Sequence, residues 1–253
     1  MKQRIITFAN HKGGVSKTTS TASIGACMAQ MGKKVLLIDL DGQANLTLYF
    51  IPNEDDIETS IFDALVDGAP LPVKHIRENL DLVPSSLEMA SAEIALTNLL
   101  AREQLLCRLL DPIKQDYDYI LIDCPPSLGL VTLNALTAAD TVLVPVQCEY
   151  FALEGMEQLF HTIGLVQKRL NPELEIEGVV FTMYDSRTNL SLEVVEEVKK
   201  VLKPSMYSAI IPRNVRLGEA PSYGLPITIY DSKSKGAESY RALAEQVINK
   251  EWK

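Results

Sequence analysis

A glycine-rich turn near the start of the chain combines two lysines with a pair of threonines. The apolar run Ile5–Ala9 leads into Lys12–Thr19, which reads KGGVSKTT, and a helical pattern begins at Thr18. A buried strand that turns and restarts as a helix directs backbone N–H groups at one point, which suits a phosphate. Lys17 is placed to reach the β and γ phosphates of a nucleotide, and the Thr18 hydroxyl is placed to bind Mg²⁺.

This loop departs from the general phosphate-loop pattern G-x-x-x-x-G-K-[ST]. His11 and Ser16 stand where the pattern has glycine, whereas Gly13 and Gly14 supply close approach and freedom to adopt positive φ. If residue 16 must adopt a positive φ, Ser costs on the order of 1–3 kcal/mol of backbone strain. A chance glycine-rich turn is the alternative, and the strand, the helix and both lysines in register argue against it.

Carboxylates follow two further aliphatic runs. Val35–Asp39 continues to Asp41, and Tyr119–Asp123 ends in an aspartate. Ligands of open α/β sheets bind at the carboxyl ends of the strands, so these carboxylates are expected beside the phosphate loop. Asp123 is placed to hold Mg²⁺ directly or through a water. An aspartate at a strand end is also common as a turn or capping residue, which is the alternative for Asp39 and Asp41.

The elements that must position these groups alternate along the chain. Continuous aliphatic runs predict strands covered on both faces, as in a parallel sheet. They are Ile5–Ala9, Val35–Asp39, Tyr119–Asp123, Thr141–Val146, Gly178–Thr182 and Tyr207–Ile211. Helical patterns cover Thr18–Met31 (ending before Gly32), Leu190–Val201, Ala237–Ile248 and a core stripe of Leu153, Met156, Phe160, Ile163 and Val166. The alternation predicts an α/β fold with a doubly wound, mostly parallel sheet flanked by helices, in one domain over residues 1–253.

The stretch from Tyr49 to Leu110 is less regular. It contains two turns bounded by prolines and two helical patterns. We expect it to form an insertion or cap region on the same domain.

Composition limits the classes of function. The chain has 253 residues, 47% of them hydrophobic, and a net charge of −9. An acidic chain repels nucleic acid on average, so DNA binding would need a local basic patch. The four cysteines and three histidines have no disulfide or metal-ligand spacing. The N-terminus lacks the apolar core of a signal peptide, and no apolar run could span a bilayer, so a cytoplasmic location is expected.

The loop and its carboxylates together resemble one family. The string K-G-G-V-x-K-T-T, with Lys12 at its start, is the deviant Walker A motif, and with it the sequence resembles the ParA/MinD family. The D-x-D-x-Q-x-N string over Asp39–Asn45 resembles the switch I motif of that family, and Pro125–Gly129 resembles switch II. The similarity is greatest to ParA/Soj-type partitioning ATPases, and it extends from Ile5 to about Val247.

The resemblance implies a role for each residue of the site. Lys12 would reach across a dimer to the ATP of the partner, Asp41 would polarise the attacking water, and Lys17 would complete the catalytic set. The phosphate-binding residues would be Lys12, Gly13, Gly14, Val15, Ser16, Lys17, Thr18 and Thr19. The Mg²⁺ shell would involve Thr18, Asp39 and Asp123. The family usually has Pro where Gly42 stands, so this turn is expected to be looser.

Two late strings extend the resemblance. Thr182, Met183, Pro212 and Asn214 would lie around the adenine. Arg187 and Arg216 match arginines that bind non-specific DNA in relatives, although such arginines can equally pair with nearby acids on a solvated surface.

The function implied is that of an ATP-dependent partition protein with ATP and Mg²⁺ as cofactors. ATP binding would drive a sandwich homodimer that binds non-specific DNA on the nucleoid, and a ParB-like partner would stimulate slow hydrolysis. One alternative is a MinD-like ATPase that cycles on a membrane, but the tail at residues 240–253 is interrupted by acids, so no stable membrane binding is expected. Another is an ATPase that positions some other cargo.

Overall fold

The computed structural model describes residues 3–150, 152–202 and 206–250. Within them, one sheet contains β1 (Arg4–Phe8), β2 (Val35–Asp39), β3 (Lys74–Arg77), β4 (Leu80–Val83), β5 (Tyr119–Asp123), β6 (Thr141–Gln147), β7 (Glu175–Tyr184) and β8 (Tyr207–Pro212). The strand order is β3-β4-β2-β5-β1-β6-β7-β8. Every pairing is parallel except that of β3 with β4 at the edge.

Helices connect the strands and cover the sheet. The α-helices are α1 (Lys17–Gln30), α2 (Asn45–Phe50), α3 (Ile61–Val66), α4 (Ala92–Leu96), α5 (Leu105–Leu110), α6 (Leu130–Ala138), α7 (Ala152–Arg169), α8 (Asn189–Val201), α9 (Val215–Glu219), α10 (Ile227–Tyr230) and α11 (Lys235–Asn249). Short 3₁₀ helices lie at Glu54–Asp56, Leu87–Ser91, Lys114–Asp116 and Ala220–Tyr223.

The central strands are apolar because both faces of the sheet are covered. Along β2, Leu36 and Ile38 belong to one hydrophobic cluster, whereas Val35 and Leu37 belong to another. Successive side chains of a strand point to opposite faces, so the two clusters are the two layers between sheet and helices. The predicted fold class is confirmed, and each predicted strand and helix is present within a few residues of its predicted ends.

The prediction for the stretch from Tyr49 to Leu110 was wrong in one respect. Instead of only an insertion, it supplies β3 and β4 to the main sheet, and β4 pairs in parallel with β2. β4 is only four residues long, and Asp81 interrupts its apolar run. That carboxylate accepts a hydrogen bond from the Tyr117 hydroxyl at 2.9 Å and pairs with His75, which satisfies it at the sheet edge.

The sheet order brings the predicted site together. β5 lies between β1 and β2, and Asp123 pairs in register with both Phe8 and Asp39. The carboxyl ends of these three strands therefore meet at one edge, where α1 begins.

Two further predictions concern the core stripe on α7 and the tail. Leu153 of the predicted core stripe is 41% exposed, while Met156, Ile163 and Val166 are buried. The last residues of the tail, Glu251 to Lys253, lie outside the described residues. In the part of the chain that is described, none of the helices combines the length and apolar composition of a bilayer-spanning segment.

Candidate nucleotide-binding site

The phosphate loop has a left-handed backbone at Ser16, the position where the sequence analysis considered a positive φ. Ser16 has φ 66° and ψ 33°, and Gly14 has φ 77°. Ser16 is also the residue that precedes α1, and its side chain makes no capping hydrogen bond to the helix. The chain therefore carries a strained serine at the mouth of the loop, where an unstrained glycine would fit.

Replacing this serine tests the strain directly. We expect Ser16→Gly to raise the free energy of unfolding by about 1 kcal/mol, because relief of the left-handed strain exceeds the extra chain entropy of glycine. Denaturant unfolding followed by circular dichroism measures the change. Ser16→Ala is the matched control, since alanine keeps the strain. A glycine variant no more stable than the alanine variant would show that the strain is absent.

Lys17 is folded into the loop that it is predicted to serve. Its Nζ atom donates hydrogen bonds to the carbonyl oxygens of Asn10, at 3.1 Å, and of Lys12, at 3.0 Å. Asn10 in turn donates to the Pro145 carbonyl at 2.7 Å, which ties the loop to β6. Burial lowers the pKa of Lys17, and the charge of Asp123 opposes that effect. The ammonium thus lies preorganised beneath the glycine-rich turn.

Thr18 and Asp123 form the part of the site that fits a magnesium ion. The Thr18 hydroxyl donates to Oδ2 of Asp123 at 2.6 Å. The other oxygen, Oδ1, is buried and has no hydrogen-bond partner. Burial, and then the charge of Asp39, raises the pKa of Asp123 well above its usual range, and the charge of Lys17 offsets only part of this effect. Mg²⁺ uses one or two protein oxygens together with phosphates and water, so these residues fit it.

Asp39 has hydrogen-bond partners within the chain besides the role expected from the sequence. Its Oδ1 accepts the N–H of Asp41 at 3.1 Å, and its Oδ2 accepts both the N–H and the hydroxyl of Thr47 at 2.8 Å. Burial raises the pKa of Asp39 to about 6, against the effect of the Thr47 hydrogen bonds. Both carboxylate oxygens therefore brace the loop that carries Asp41, and a contribution to the Mg²⁺ shell remains a prediction.

Asp41 stands on that braced loop. Its side chain accepts the N–H of Gln43 at 3.0 Å, and its carbonyl accepts the Ser85 hydroxyl at 2.7 Å. At Gly42, where the sequence predicts a looser turn, the chain packs closely, and a Cβ atom there would lie 2.7 Å from the backbone nitrogen of Ala90. Glycine at this position permits a close backbone contact that fixes the loop.

Lys12 lies at the opposite wall of the loop. Its ammonium forms an ion pair with Glu149, which follows β6, and both side chains are about one-third exposed. No motif or spacing in the sequence singles out Glu149. In this structure the charge of Lys12 is thus held on its own subunit.

The four residues expected around adenine have separate local contacts. The buried Thr182 hydroxyl donates to the Val15 carbonyl at 3.1 Å, which anchors the phosphate loop on β7. Met183 has a positive φ of 52° at the bulged end of β7. Pro212 ends β8, and Asn214 caps α9 by accepting the Arg216 N–H at 2.9 Å. Their role around a base remains a prediction.

The two candidate DNA-binding arginines both pair with acids. Arg187 donates through Nε and Nη2 to the two oxygens of Asp185, at 2.9 and 2.6 Å, and lowers the pKa of that carboxyl. Arg216 pairs with Glu219 at 2.8 Å and with Asp231 at 3.5 Å. These are exposed pairs, which water and salt weaken, so either guanidinium can exchange its partner for a phosphate.

Known proteins resemble this chain over nearly its whole length. A family model described as an AAA domain matches residues 3–176. The sporulation initiation inhibitor protein Soj of Bacillus subtilis is 53% identical over 248 residues, which cover 96% of this chain and 98% of that protein. The chain belongs to the ParA/Soj family of P-loop ATPases. The chromosome partitioning protein ParA of Myxococcus xanthus is 48% identical over 251 residues, 98% of this chain and 89% of that protein.

A solved structure gives the same fold. Cobyrinic acid a,c-diamide synthase of Mycobacterium smegmatis, with an ATP analog and magnesium bound, has a TM-score of 0.85 and 38% identity. The match covers 98% of this chain and 95% of that one. The doubly wound sheet of this chain is therefore shared, over nearly its whole length, with that solved structure.

Several contributors to the site escaped the sequence analysis. They are Asn10, Thr47, Ser85, Ala90, Glu149 and Glu93, whose carboxylate accepts the Leu130 N–H at the start of α6. Asn10 carried the one available signal, because it lies two residues before the phosphate loop. The others lie on α2, on the stretch that leads from β4 through the 3₁₀ helix Leu87–Ser91 into α4, and on the loop after β6, and their spacing has no recognisable period.

Proposed function

We propose that this protein binds Mg²⁺ and ATP at the Lys12–Thr19 loop and hydrolyses the nucleotide slowly. The observation that carries the proposal is the buried Oδ1 of Asp123, which has no hydrogen-bond partner while Oδ2 of the same carboxylate accepts the Thr18 hydroxyl. When bound, Mg²⁺ would neutralise charge on the phosphates. Lys17 would donate to the phosphate oxygens in place of the carbonyls it contacts now, and Asp41 would orient the attacking water.

The nucleotide would also control assembly. We propose that ATP brings two copies together and that Lys12 then exchanges Glu149 for the phosphates of the partner subunit's nucleotide. A second cation at the transferring phosphoryl group stabilises the charge that develops there. Because Lys12 already has an ionic partner in the single chain, the exchange replaces one charge contact with another.

The dimer would bind DNA without regard to sequence. Arg187 follows β7 and Arg216 follows β8, so both lie at the same edge of the sheet as the phosphate loop. Phosphate contacts need only a few cations, and a dimer doubles their number. DNA binding by a chain with a net charge of −9 would then depend on these local contacts, with each guanidinium leaving its acid partner for a phosphate. The protein would then act in chromosome or plasmid partition in the cytoplasm, on the nucleoid, with a ParB-like protein as the stimulating partner.

DNA binding is tested by the salt dependence of affinity. We expect ATP-loaded protein to bind arbitrary duplexes, with an affinity that falls as salt rises. Arg187→Ala with Arg216→Ala should reduce the slope of log affinity against log salt by roughly 2 per subunit, or about 0.9 for each lost phosphate contact. Fluorescence anisotropy with duplexes of two unrelated sequences measures this.

A matched control distinguishes the effect of the two arginines on DNA binding from the effect of the net charge. Arg169 lies at the far end of α7, at the opposite edge of the sheet, and Arg169→Ala should leave the slope unchanged. Equal losses for Arg169→Ala and the double variant would show that DNA responds only to net charge. Absence of binding by ATP-loaded protein at low salt would contradict the DNA proposal itself.

A further inference from the structure

Two loops that flank the predicted reaction centre come from different strands. One follows β2 and carries Asp41 and Gly42, and the other follows β5 and leads through Gly129 into α6. A single segment, Ser85–Glu93, contacts both loops. It begins after β4 and ends in α4, and we call it the bridging segment.

The first end of the bridging segment holds the Asp41 loop. The Ser85 hydroxyl donates to the Asp41 carbonyl at 2.7 Å, and the Ser85 N–H donates to the Thr47 hydroxyl at 2.8 Å. Thr47 in turn holds the buried carboxylate of Asp39. Further along the segment, the Ala90 backbone lies against Gly42 so closely that no side chain would fit between them.

The second end holds the start of α6. Oε2 of Glu93 accepts the Leu130 N–H at 2.7 Å, and Oε1 accepts the Val131 N–H at 3.3 Å. A carboxylate is favourable at this position because the first turn of a helix has unpaired N–H groups and a positive dipole end. A Cβ atom at residue 129 would lie 2.3 Å from Oε1, so glycine is needed for the carboxylate to reach the helix.

The segment between these contacts is well anchored. It folds as a 3₁₀ helix over Leu87–Ser91 followed by α4, and Met89 and Ala92 are buried in the core. Both glycines that face it, Gly42 and Gly129, belong to the two loops. A displacement of either loop therefore pushes on a packed element that also touches the other.

We propose that the bridging segment couples the two loops, with Ser85 and Glu93 as positioning residues that hold Asp41 in its working geometry. This inference rests on the proposed ATP hydrolysis. Ser85 acts on the Asp41 backbone directly. Glu93 acts at a distance, by fixing the loop after β5 against the same segment. Neither side chain need contact the nucleotide.

Steady-state kinetics distinguishes positioning from binding. Ser85→Ala and Glu93→Ala should each lower kcat for ATP by about tenfold while KM changes little, since coupling through packed elements usually has effects of this order. Glu93→Gln keeps one acceptor oxygen for the α6 amides and should restore part of the rate. The Ser85→Ala/Glu93→Ala double variant should have a kcat only slightly lower than that of either single variant, because the effects of two substitutions in one coupled unit are not additive.

Hydrogen exchange supplies a readout beyond activity. Glu93→Gln should speed amide exchange in the Asp41 loop, which it does not touch, as well as at Leu130 and Val131. Glu197→Gln and Asp111→Asn are the controls, because these exposed carboxylates pair with Lys200 on α8 and with Lys114 after α5, outside the bridging segment. Both controls should match the wild type.

The outcomes are separable. A wild-type protein that does not hydrolyse ATP would overturn the proposed function. Normal wild-type hydrolysis with additive losses in the double variant, or with faster exchange confined to Leu130 and Val131 in Glu93→Gln, would overturn the coupling alone. Where Glu93→Ala unfolds, the Gln variant and the exchange pattern decide the question.

Discussion

Lys17→Ala is expected to abolish nucleotide binding, with an affinity for Mg²⁺-ATP at least about a hundredfold lower, as for loss of one member of a buried charge contact. The reason lies in the surroundings of the ammonium. It is 7% exposed and donates to two loop carbonyls, and its charge favours ionised Asp123. Removing it takes away the cation that would meet the phosphates and leaves those carbonyls without their donor.

Isothermal titration with a slowly hydrolysed ATP analog measures this effect. Lys168→Ala is the control, because Lys168 is exposed in the last turn of α7, away from the loop. Unfolding curves of the two variants without nucleotide show whether the loop remains folded. If Lys17→Ala bound the analog as tightly as Lys168→Ala, the phosphate site would have to lie elsewhere.

Asp41→Ala is expected to separate binding from hydrolysis. We predict a fall in kcat of roughly 10²- to 10⁴-fold, the usual contribution of a group that activates the nucleophile, with ATP affinity retained. The affinity is kept because Asp41 contacts Gln43 and Ser85 instead of the phosphate loop. The variant should therefore accumulate as an ATP-bound dimer on DNA.

Asp41→Asn refines that result. The amide oxygen can still accept the Gln43 N–H, so the loop should keep its shape while the negative charge is lost. Phosphate release and sedimentation, recorded on the same samples, give rate and assembly. Asp111→Asn, at an exposed pair with Lys114, controls for the charge change. Comparable rates for Asp41→Asn and the wild type would remove Asp41 from the reaction.

The sequence predicted most of the fold because its central strands are continuous aliphatic runs. Burial on both faces demands such runs, and β2 and β5 show them without interruption. β4 was missed because Asp81 breaks its run, and its partners Tyr117 and His75 are supplied by other elements. Local pattern cannot reveal a polar residue that is satisfied from a distance.

The site likewise contains residues that could be predicted from the sequence and residues whose contacts depend on the folded chain. The grouping of Lys17, Thr18 and Asp123 was predictable, because the loop after β1 and the end of the adjacent strand β5 meet at one edge of the sheet. The role of Asp39 was not, because it depends on Thr47 arriving from α2. From the sequence, Gly42 predicts a looser turn. The close contact with Ala90, which leaves no room for a side chain at residue 42, exists only in the folded chain.

Sedimentation velocity of the wild type and of Lys12→Ala, each with Mg²⁺ and a slowly hydrolysed ATP analog, tests most directly whether ATP is a dimerisation switch. Nucleotide binding is checked on both samples by titration. We predict that the wild type is a monomer without nucleotide and a dimer with it, and that Lys12→Ala binds the analog yet stays monomeric. A wild type that remains monomeric with the analog bound, or a Lys12→Ala variant that dimerises equally well, would contradict the account.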